Sequence, residues 1–198
     1  MATPAEPAPA RRTRLTPERE HELFTAVLEL LKESGYEALT MDAVAARTRS
    51  SKATLYRQWN GKPQLVAAAM RHHKPANSSD IDTGSLRGDL HEIARRAEEV
   101  APDTELLAAV SHAMLRNPEL GDALREMIVE PERASLTAML HRAELRGEIR
   151  EGAAAREFLM HTLVGILPAR KLIEDRFVDA EFLTRYFDAV ILPALLHS

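Results

Sequence analysis

The sequence predicts an all-α protein with a small N-terminal head of three helices and a larger C-terminal helical domain. Ala, Leu, Glu and Arg dominate after residue 15, and apolar residues recur three and four positions apart, as they do on one face of an α-helix. Alternating runs of Val, Ile, Thr and aromatic residues, which would favour strands, are missing. With 198 residues, of which 45% are hydrophobic, the chain can form a substantial core.

The first predicted helix runs from Pro17 to Ser34. Thr16 is a suitable N-cap, Pro17 suits the first helical position, and Gly35 can end the helix. A single buried stripe is expected on it, made of Leu23, Val27, Leu30 and Leu31. Tyr36 and Leu39 are expected to pack beneath this stripe.

Two short helices and a polar turn follow. Thr40 is expected to cap a helix from Met41 to about Arg47, residues 48–50 form the turn, and Ser51 can cap a helix that reaches about Trp59. Leu55 and Trp59, four positions apart, are expected to lie in the core. We interpret Tyr56 as having both a ring in the core and a hydroxyl that faces outward.

Hydroxyl, basic and small side chains are concentrated around this second short helix. Hydroxyls and amines near a helix N-terminus can bind phosphates, Ala and Thr methyl groups can contact thymine, and Arg can bind guanine through two hydrogen bonds. The candidate DNA-binding residues are Thr40, Arg49, Ser51, Lys52, Ala53, Thr54, Tyr56, Arg57 and Lys62. The pattern therefore predicts a helix-turn-helix that contacts double-stranded DNA. A helical hairpin with a charged, solvated surface remains the alternative.

Charge is unevenly distributed along the chain, whose formal net charge is -4. Residues 1–75 contain twelve Lys and Arg against eight Asp and Glu, whereas the rest of the chain contains fourteen against twenty-two. Residues 40–74 contain seven basic residues and a single acidic residue, Asp42. A basic head on an acidic body is typical of a protein whose head faces DNA.

The segment GYEALTMDAVAARTRSSKATLYRQWNGKPQLV resembles the DNA-binding domain of the TetR (tetracycline repressor-like) family of bacterial transcription regulators. The matching positions are Gly35, Tyr36, Thr40, Val44, Ala45, Ser51, Lys52, Thr54, Leu55, Tyr56 and Lys62, with Trp59 where the family usually has Phe. The resemblance covers about 60 residues and implies a dimer that binds DNA and responds to a small molecule.

The turn departs from the family pattern, because Arg49 and Ser50 stand where Gly and Val are usual. If Arg49 is left-handed, glycine would be easier there by roughly 1 kcal/mol, since a Cβ atom is strained in that conformation. A phosphate contact by Arg49 is one form of compensation. Ser50 also removes an apolar side chain from between the two helices.

Further helices are predicted through the rest of the chain. Pro63 begins a connecting helix that ends before residues 74–79, and another helix spans Leu86 to Val100. The remaining predicted helices are one that reaches Asn117, one from Pro118 to Leu145 kinked at Pro131, one from Ala153 to Ile173, and one from Asp179 to Leu196.

The last two helices are predicted to form a homodimer interface, because their apolar residues spread around more of each helix than one internal core requires. The candidate interface residues are Phe158, Leu163, Leu167, Phe182, Tyr186, Phe187 and Val190. The alternative interpretation is that these residues only complete the core of one subunit. The resemblance implies a four-helix interface formed by these helices from two subunits.

The resemblance also implies an effector pocket among the middle helices, where an unidentified small molecule shifts the connecting helix and separates the heads. Six residues are candidates for its lining, although each also fits ordinary core or surface: His91, His112, Met114, Met139, His161 and Arg170.

Four regions are expected: a disordered basic arm (1–14), a helix-turn-helix domain (15–62), a connecting helix (63–74), and a ligand-binding and dimerisation domain (75–198). The arm, rich in Pro and Ala and ending in three arginines, either lies along a DNA groove or only aids solubility.

Composition excludes several other classes. The chain has no cysteine, its histidines lack metal-binding spacing, and no glycine-rich phosphate loop or Ser/His/Asp order appears, so neither an enzyme nor a metal or cofactor is expected. No apolar run approaches the roughly 18 residues of a membrane helix, and the N-terminus lacks a signal peptide, so a cytoplasmic protein is expected.

The sequence therefore predicts a transcriptional regulator, most simply a repressor that binds a palindromic operator as a dimer and is released by a small molecule. The alternative is a helical dimer that binds a protein partner without sequence-specific DNA binding.

Overall fold

The computed structural model describes residues 15–73, 78–100 and 104–197. The predicted basic arm at residues 1–14 and most of the predicted break after the connecting helix lie outside these residues. In the part of the chain that is described, none of the helices combines the length and apolarity needed to cross a membrane.

The described residues form helices and loops, which confirms the all-α prediction. The α-helices are α1 (Pro17–Ala38), α2 (Met41–Thr48), α3 (Lys52–Trp59), α4 (Lys62–His73), α5 (Leu86–Val100), α6 (Thr104–Arg116), α7 (Pro118–Leu124), α8 (Glu130–Leu145), α9 (Leu159–Glu174), α10 (Ala180–Tyr186) and α11 (Leu192–His197). Short 3₁₀ segments lie at Ser78–Asp80 and Ala154–Phe158. The helix predicted from Ala153 therefore begins with a 3₁₀ segment.

The predicted capping residues begin the N-terminal helices. The Thr16 hydroxyl accepts a hydrogen bond from the Arg19 amide at 3.4 Å, and Pro17 occupies the first turn of α1. Gly35 interrupts α1 with φ 76°, as a predicted stop would, but residues 36–38 add one more helical turn. That extra turn places Tyr36 and Leu39 in the core, where each is at most 4% exposed.

Two hydrophobic clusters hold the chain together, and they do not divide where the predicted domains do. The N-terminal cluster combines buried residues of α1–α4 with buried residues of α6 and α7, including Leu106, Val110 and Leu120. The C-terminal cluster is made by α5, α8 and the helices from α9 to α11, with Leu90, Met139 and Phe187 among its members. The head therefore packs directly on part of the C-terminal region.

Helix α4 lies at the centre of the N-terminal cluster. Its six consecutive residues from Leu65 to Met70 are all buried, although they point to every side of the helix. It contacts α1 and α3 of the head and α7 of the C-terminal region. The small side chains of Ala67, Ala68 and Ala69 allow these neighbouring helices to approach closely.

Two of the C-terminal helices contain a π-helical turn. The helix predicted from Pro118 to Leu145 contains one at Arg125–Val129, and the helix predicted from Asp179 to Leu196 contains one at Phe187–Ile191. Each turn ends two residues before a proline, Pro131 or Pro193. A proline ring clashes with the carbonyl four residues earlier in a regular α-helix, and the wider turn relieves that crowding. The predicted kink at Pro131 thus takes the form of a π turn.

Substitution of Leu55 by Ala tests the assignment of the two faces of α3. Leu55 is 0% exposed, so Leu55→Ala should lower the free energy of unfolding by about 2–5 kcal/mol in urea denaturation followed by circular dichroism. The neighbouring Tyr56 is 46% exposed, and Tyr56→Ala should cost about 1 kcal/mol or less. Equal losses from the two variants would contradict this assignment.

Candidate nucleic-acid interface

The turn between α2 and α3 is closed by backbone hydrogen bonds around Arg49. Arg49 is left-handed, with φ 51° and ψ 36°. Its amide donates to the Ala46 carbonyl at 3.4 Å, and the Ser50 amide donates to the Ala45 carbonyl at 3.0 Å. This pair of bonds is the Schellman arrangement, in which the left-handed position is usually glycine. The departure seen in the sequence thus falls on the one residue of the turn where a Cβ atom is strained.

Side-chain caps fix the beginning of both helices of the pair. The Thr40 hydroxyl accepts from the Ala43 amide at 3.1 Å, and the Ser51 hydroxyl accepts from the Thr54 amide at 3.1 Å. The Ser51 and Thr54 hydroxyl oxygens also lie 2.8 Å apart and share a hydrogen bond. Thr40 and Ser51 are exposed and Thr54 is half-buried, so polar atoms line the N-terminal end of each helix.

One face of α3 is open to solvent. Four of its residues are exposed: Lys52, Ala53, Tyr56 and Arg57. Lys52 is four positions from Tyr56, and Ala53 is four positions from Arg57, so these side chains lie on one side of the helix. Leu55 and Trp59 point to the other side, where the Trp59 ring meets the Phe24 ring edge-on at a centroid distance of 5.6 Å. The core face of α3 thus anchors the helix on α1, and the exposed face carries the predicted DNA contacts.

Lys52 is held by an acidic neighbour in the free protein. Its Nζ atom lies 2.9 Å from Oδ2 of Asp42, and this hydrogen bond to the carboxylate raises the pKa of the lysine. The pair links the first turn of α2 to the first turn of α3. Because both side chains are more than half exposed, the interaction contributes little stability, and a phosphate can compete with Asp42 for the ammonium group.

Other basic residues of the head hold α2 against α1. Arg47 forms an ion pair with Glu33 at 2.8 Å, and this hydrogen bond lowers the pKa of the Glu33 carboxyl. Arg19 of α1 donates to the Thr48 carbonyl and pairs with Glu22 at 2.7 Å. Arg47 is therefore occupied inside the head, whereas Arg49 and Arg57 make no ion pair with any described residue.

One candidate residue differs from the sequence interpretation, and another is already bonded within the head. The prediction that the Tyr56 ring belongs to the core is wrong, because Leu55 and Trp59 fill the core side of α3 and leave Tyr56 46% exposed. Lys62 is half-buried: its Nζ donates to the Tyr36 carbonyl at 3.0 Å and lies 4.2 Å from the centroid of the Tyr36 ring. In this state Lys62 fastens the start of α4 to the end of α1, and a phosphate contact requires it to leave that carbonyl.

Sequence reasoning missed several residues that position this face. Asn60 ends α3 in a left-handed conformation with φ 56°. The Asn-Gly pair at 60–61 is a turn signal in the sequence from which this end of the helix could have been predicted. The contact between Arg19 and Thr48 joins residues 29 positions apart, and no local pattern marks it.

The structure does not bring the six effector-pocket candidates together. Met114 packs on the N-terminal cluster, whereas Met139 is buried in the C-terminal cluster. His91 is hydrogen-bonded to Asp188 at 3.0 Å, and the buried Arg170 is paired with Asp179 at 3.0 Å and lies over the Phe182 ring. The six candidates therefore do not line one common pocket, because several of these side chains are already used inside the fold.

Two candidate histidines are exposed. His161 is on α9, where its Nδ1 lies 3.1 Å from the Glu157 carbonyl oxygen. His112 is on α6 and lines an open groove of about 460 Å³ between α6 and the end of α1.

Most of the candidate dimer residues keep apolar surface free. Phe158 is 57% and Val190 46% exposed, and Leu163, Leu167, Phe182 and Tyr186 are half-buried. Phe187 is the exception: at 1% exposed it belongs to the core of the subunit, so its assignment to the interface is wrong. Helix α9 also carries Val164, Leu172 and Ile173, each more than half exposed.

Comparison with known proteins assigns both parts of the chain. A family model described as "Bacterial regulatory proteins, tetR family" matches residues 23–69, and one described as "Tetracyclin repressor-like, C-terminal domain" matches residues 80–190. An HTH-type transcriptional regulator of Mycobacterium tuberculosis is 39% identical over 181 residues, which cover 91% of this chain and 89% of that protein.

Two further relatives agree with these matches. The DNA-binding transcriptional repressor TetR of Mycobacteroides abscessus is 33% identical over 174 residues, covering 86% of this chain and 90% of that protein. The crystal structure of the TetR family transcription regulator SCO0332 superimposes with a TM-score of 0.68 at 29% identity, covering 89% of this chain and 98% of that one.

Replacing Arg49 by glycine tests the strain in the turn. Arg49→Gly should raise the free energy of unfolding by roughly 1 kcal/mol, because glycine adopts the left-handed conformation without a Cβ clash. Asn60→Gly is the matched control, and it should gain less because asparagine tolerates that conformation. A loss of stability in Arg49→Gly, measured by urea denaturation, would instead mean that the arginine side chain stabilises the turn.

Proposed function

The chain belongs to the TetR family of bacterial transcription regulators, and on that premise we propose that it is a repressor that binds a palindromic operator as a homodimer and is released by a small molecule. It is a DNA-binding regulator and not an enzyme. The repressor of Mycobacteroides abscessus, which shares a third of the aligned residues, supports repression as the mode of action.

The observation that carries the proposal is the exposed face of α3. Lys52, Ala53, Tyr56 and Arg57 face solvent together, while Leu55 and Trp59 fix the opposite side of the helix in the core. We assign Arg57 to a base edge, because it is exposed, lies on the open face of α3 in its last turn, and has no carboxylate partner among the described residues. Thr40, Ser51 and Lys52 at the helix starts, together with Arg49 and the Tyr56 hydroxyl, are assigned to phosphates.

The proposed dimer rests on exposed apolar side chains of α9, of the 3₁₀ segment before it and of the π turn at Phe187–Ile191. Phe158, Val164 and Val190 leave about half of their surface exposed, although the C-terminal cluster already encloses the neighbouring Phe187 and Ile191. A second copy that covers this apolar surface would place two α3 helices on one side of the assembly. Two such helices about 34 Å apart match successive major grooves of DNA and read a palindrome.

The proposed release mechanism uses α4. This helix is enclosed by α1 and α3 of the head and by α7 of the C-terminal region, and Lys62 ties its first turn to Tyr36. A movement of α6 or α7 on effector binding would therefore reach the head through packed side chains. The distance between the two α3 helices of the dimer would then no longer match the spacing of the operator half-sites, and operator binding would weaken.

A second function remains a candidate: a helical dimer that binds a protein partner without reading DNA sequence. The exposed apolar side chains Leu115 and Leu145, on α6 and α8, lie outside the proposed dimer helices and give this candidate its support. We place the regulator in the bacterial cytoplasm, where its DNA target is found. We also propose that residues 15–62 act as the DNA-binding unit, 63–74 as the connection, and 75–198 as the effector and dimer unit.

Binding to DNA from the promoter region beside its own gene tests the DNA-binding proposal. Fluorescence anisotropy should show affinity for one operator at least about a thousandfold above random DNA, with the logarithm of affinity falling steeply with that of salt concentration. The same weak affinity for every sequence would contradict sequence-specific regulation and favour the partner-binding candidate.

The assignment of Arg57 to a base has its own test. Arg57→Ala should cost about 1–3 kcal/mol of binding and relax preference at one operator position, as measured with operators changed at single base pairs. Lys52→Ala should weaken binding to all of these operators about equally and reduce the salt slope by about one. Arg150→Ala, at an exposed arginine after α8, is the control that should leave binding unchanged. A uniform loss from Arg57→Ala would contradict base contact.

The dimer proposal is tested by placing a charge at an exposed apolar position of α9. Val164 is 54% exposed, so Val164→Glu should leave the subunit folded while introducing a desolvated carboxylate into the interface. Sedimentation equilibrium should then show monomers, and operator affinity should fall. Leu115→Glu, at a residue 81% exposed on α6, is the matched control and should remain dimeric. Dimers of unchanged stability in both variants would exclude this interface.

A further inference from the structure

Two histidines, one from the head and one from the connecting helix, meet at the surface of the subunit. His21 lies in the second turn of α1 and His72 in the last turn of α4, and Nδ1 of His21 is 3.0 Å from Nε2 of His72. The two residues are 51 positions apart, so no spacing in the sequence marks the pair. Both residues are exposed, and a dissolved ion can therefore reach them.

A buried aromatic ring supports this histidine pair. The Phe24 side chain, one helical turn after His21, is only 5% exposed, and the centroid of its ring lies 5.1 Å from that of the His72 ring. The centroids of the His21 and His72 rings are 5.3 Å apart. Phe24 also meets Trp59 of α3 edge-on. The His72 ring thus rests on the core of the head, beside His21, while the residue stays exposed.

The two facing imidazole nitrogens have nearly the separation that a shared metal ion requires. Two Zn–N bonds of about 2.0–2.1 Å at a tetrahedral angle place their nitrogens about 3.3 Å apart. The observed 3.0 Å separation therefore needs only a small side-chain movement to admit an ion. One ring now donates its N–H to the other ring. When that proton lies on the other nitrogen of the same neutral ring, both facing nitrogens present lone pairs.

The ligand type selects among metals. Imidazole suits Zn²⁺, Cu²⁺ and Ni²⁺, whereas Mg²⁺ and Ca²⁺ prefer oxygen ligands. Among the residues that the structure describes, no third His, Cys, Asp or Glu completes a group with the pair. Water would therefore fill the remaining positions around the ion, which makes the site open and exchangeable, unlike a structural zinc site with four protein ligands.

We propose that His21 and His72 together bind a divalent transition-metal ion and that the bound ion fastens the end of α4 to α1. The two helices are adjacent only in the folded subunit, so an ion held by both stabilises the fold. Metal binding at this pair concerns the subunit alone and does not depend on DNA binding or on release by a small molecule.

Titration of the full-length protein with Zn²⁺ in isothermal titration calorimetry, in a buffer without chelating groups and without DNA, tests the site. The wild type should show saturable binding with one ion per subunit. His21→Ala and His72→Ala should each weaken it at least tenfold, since loss of even an outer-shell partner of a metal ligand costs about 10–100-fold. His73→Ala removes the neighbouring exposed histidine of α4 and is the matched control, which should bind zinc as the wild type does.

Three results of this titration would overturn the proposal. The first is equal zinc affinity in the wild type and in both His21→Ala and His72→Ala. The second is a loss of affinity in His73→Ala as large as theirs. The third is the absence of saturable binding by the wild type up to about 1 mM zinc, where even a weak complex of millimolar Kd would be half formed.

Thermal unfolding followed by circular dichroism shows whether the ion joins the two helices. Excess Zn²⁺ should raise the Tm of the wild type and of His73→Ala and leave that of His21→Ala and His72→Ala unchanged, because a ligand stabilises a protein only when it prefers the folded state. The same melts without zinc establish that the variants fold. Equal zinc-induced shifts in all four proteins would contradict a shared ion.

Cu²⁺ is a spectroscopic probe of the same site that does not rely on stability. Electron paramagnetic resonance of the wild type with one equivalent of Cu²⁺ should show coupling to two imidazole nitrogen ligands, and either single variant should show coupling to one. Coupling to only one imidazole in the wild type would overturn the assignment of both histidines to one ion.

Discussion

The enclosure of α4 is the constraint on which the rest of the structure depends. Six consecutive residues, Leu65 to Met70, are buried on all sides of one helix, which is possible only because α1, α3 and α7 surround it. Three consecutive alanines allow these neighbours to approach closely. Because packed interiors do not deform continuously, a shift of α7 or α6 must be passed on through α4 or opposed by it.

The proposed DNA-facing surface is built on that support, and backbone strain falls on its turn. Leu55 and Trp59 fix α3 in the core, Arg47 and Arg19 hold α2 to α1, and the strained backbone falls on Arg49. A glycine would relieve the strain but would remove a positive charge from the loop next to the exposed face of α3. Stability and charge thus compete at one residue, which agrees with the general tendency of strain to collect at functional sites.

Local chemistry made much of this fold predictable. Thr16, Thr40 and Ser51 are caps in the structure as in the prediction, and the limits of α5 agree with those read from the sequence, because capping and helical periodicity are local. The exposure of Arg57 and the burial of Leu55 follow from the same periodicity.

Apart from the placement of the Tyr56 ring, the errors concern packing between separate segments. Phe187 fits the apolar pattern of its helix whether its ring faces a partner subunit or the subunit core. Only the packing of α5 and α10 around it places the ring in the core. The effector-pocket candidates lie apart for the same reason. His91 is hydrogen-bonded to Asp188, and Arg170 is paired with Asp179, so neither side chain is available to a common pocket. The attachment of Lys62 to Tyr36, 26 positions away, leaves no mark in the local sequence.

The central claim is that α4 holds each head at a fixed place on a dimer so that both α3 helices reach DNA together. The absence of cysteine allows one spin label per subunit at Thr25→Cys, an exposed position of α1, with the separation measured by pulsed electron paramagnetic resonance. The account predicts an inter-subunit distance distribution that narrows when operator DNA is added. An absent inter-subunit signal, or a distribution that operator leaves unchanged, would contradict it.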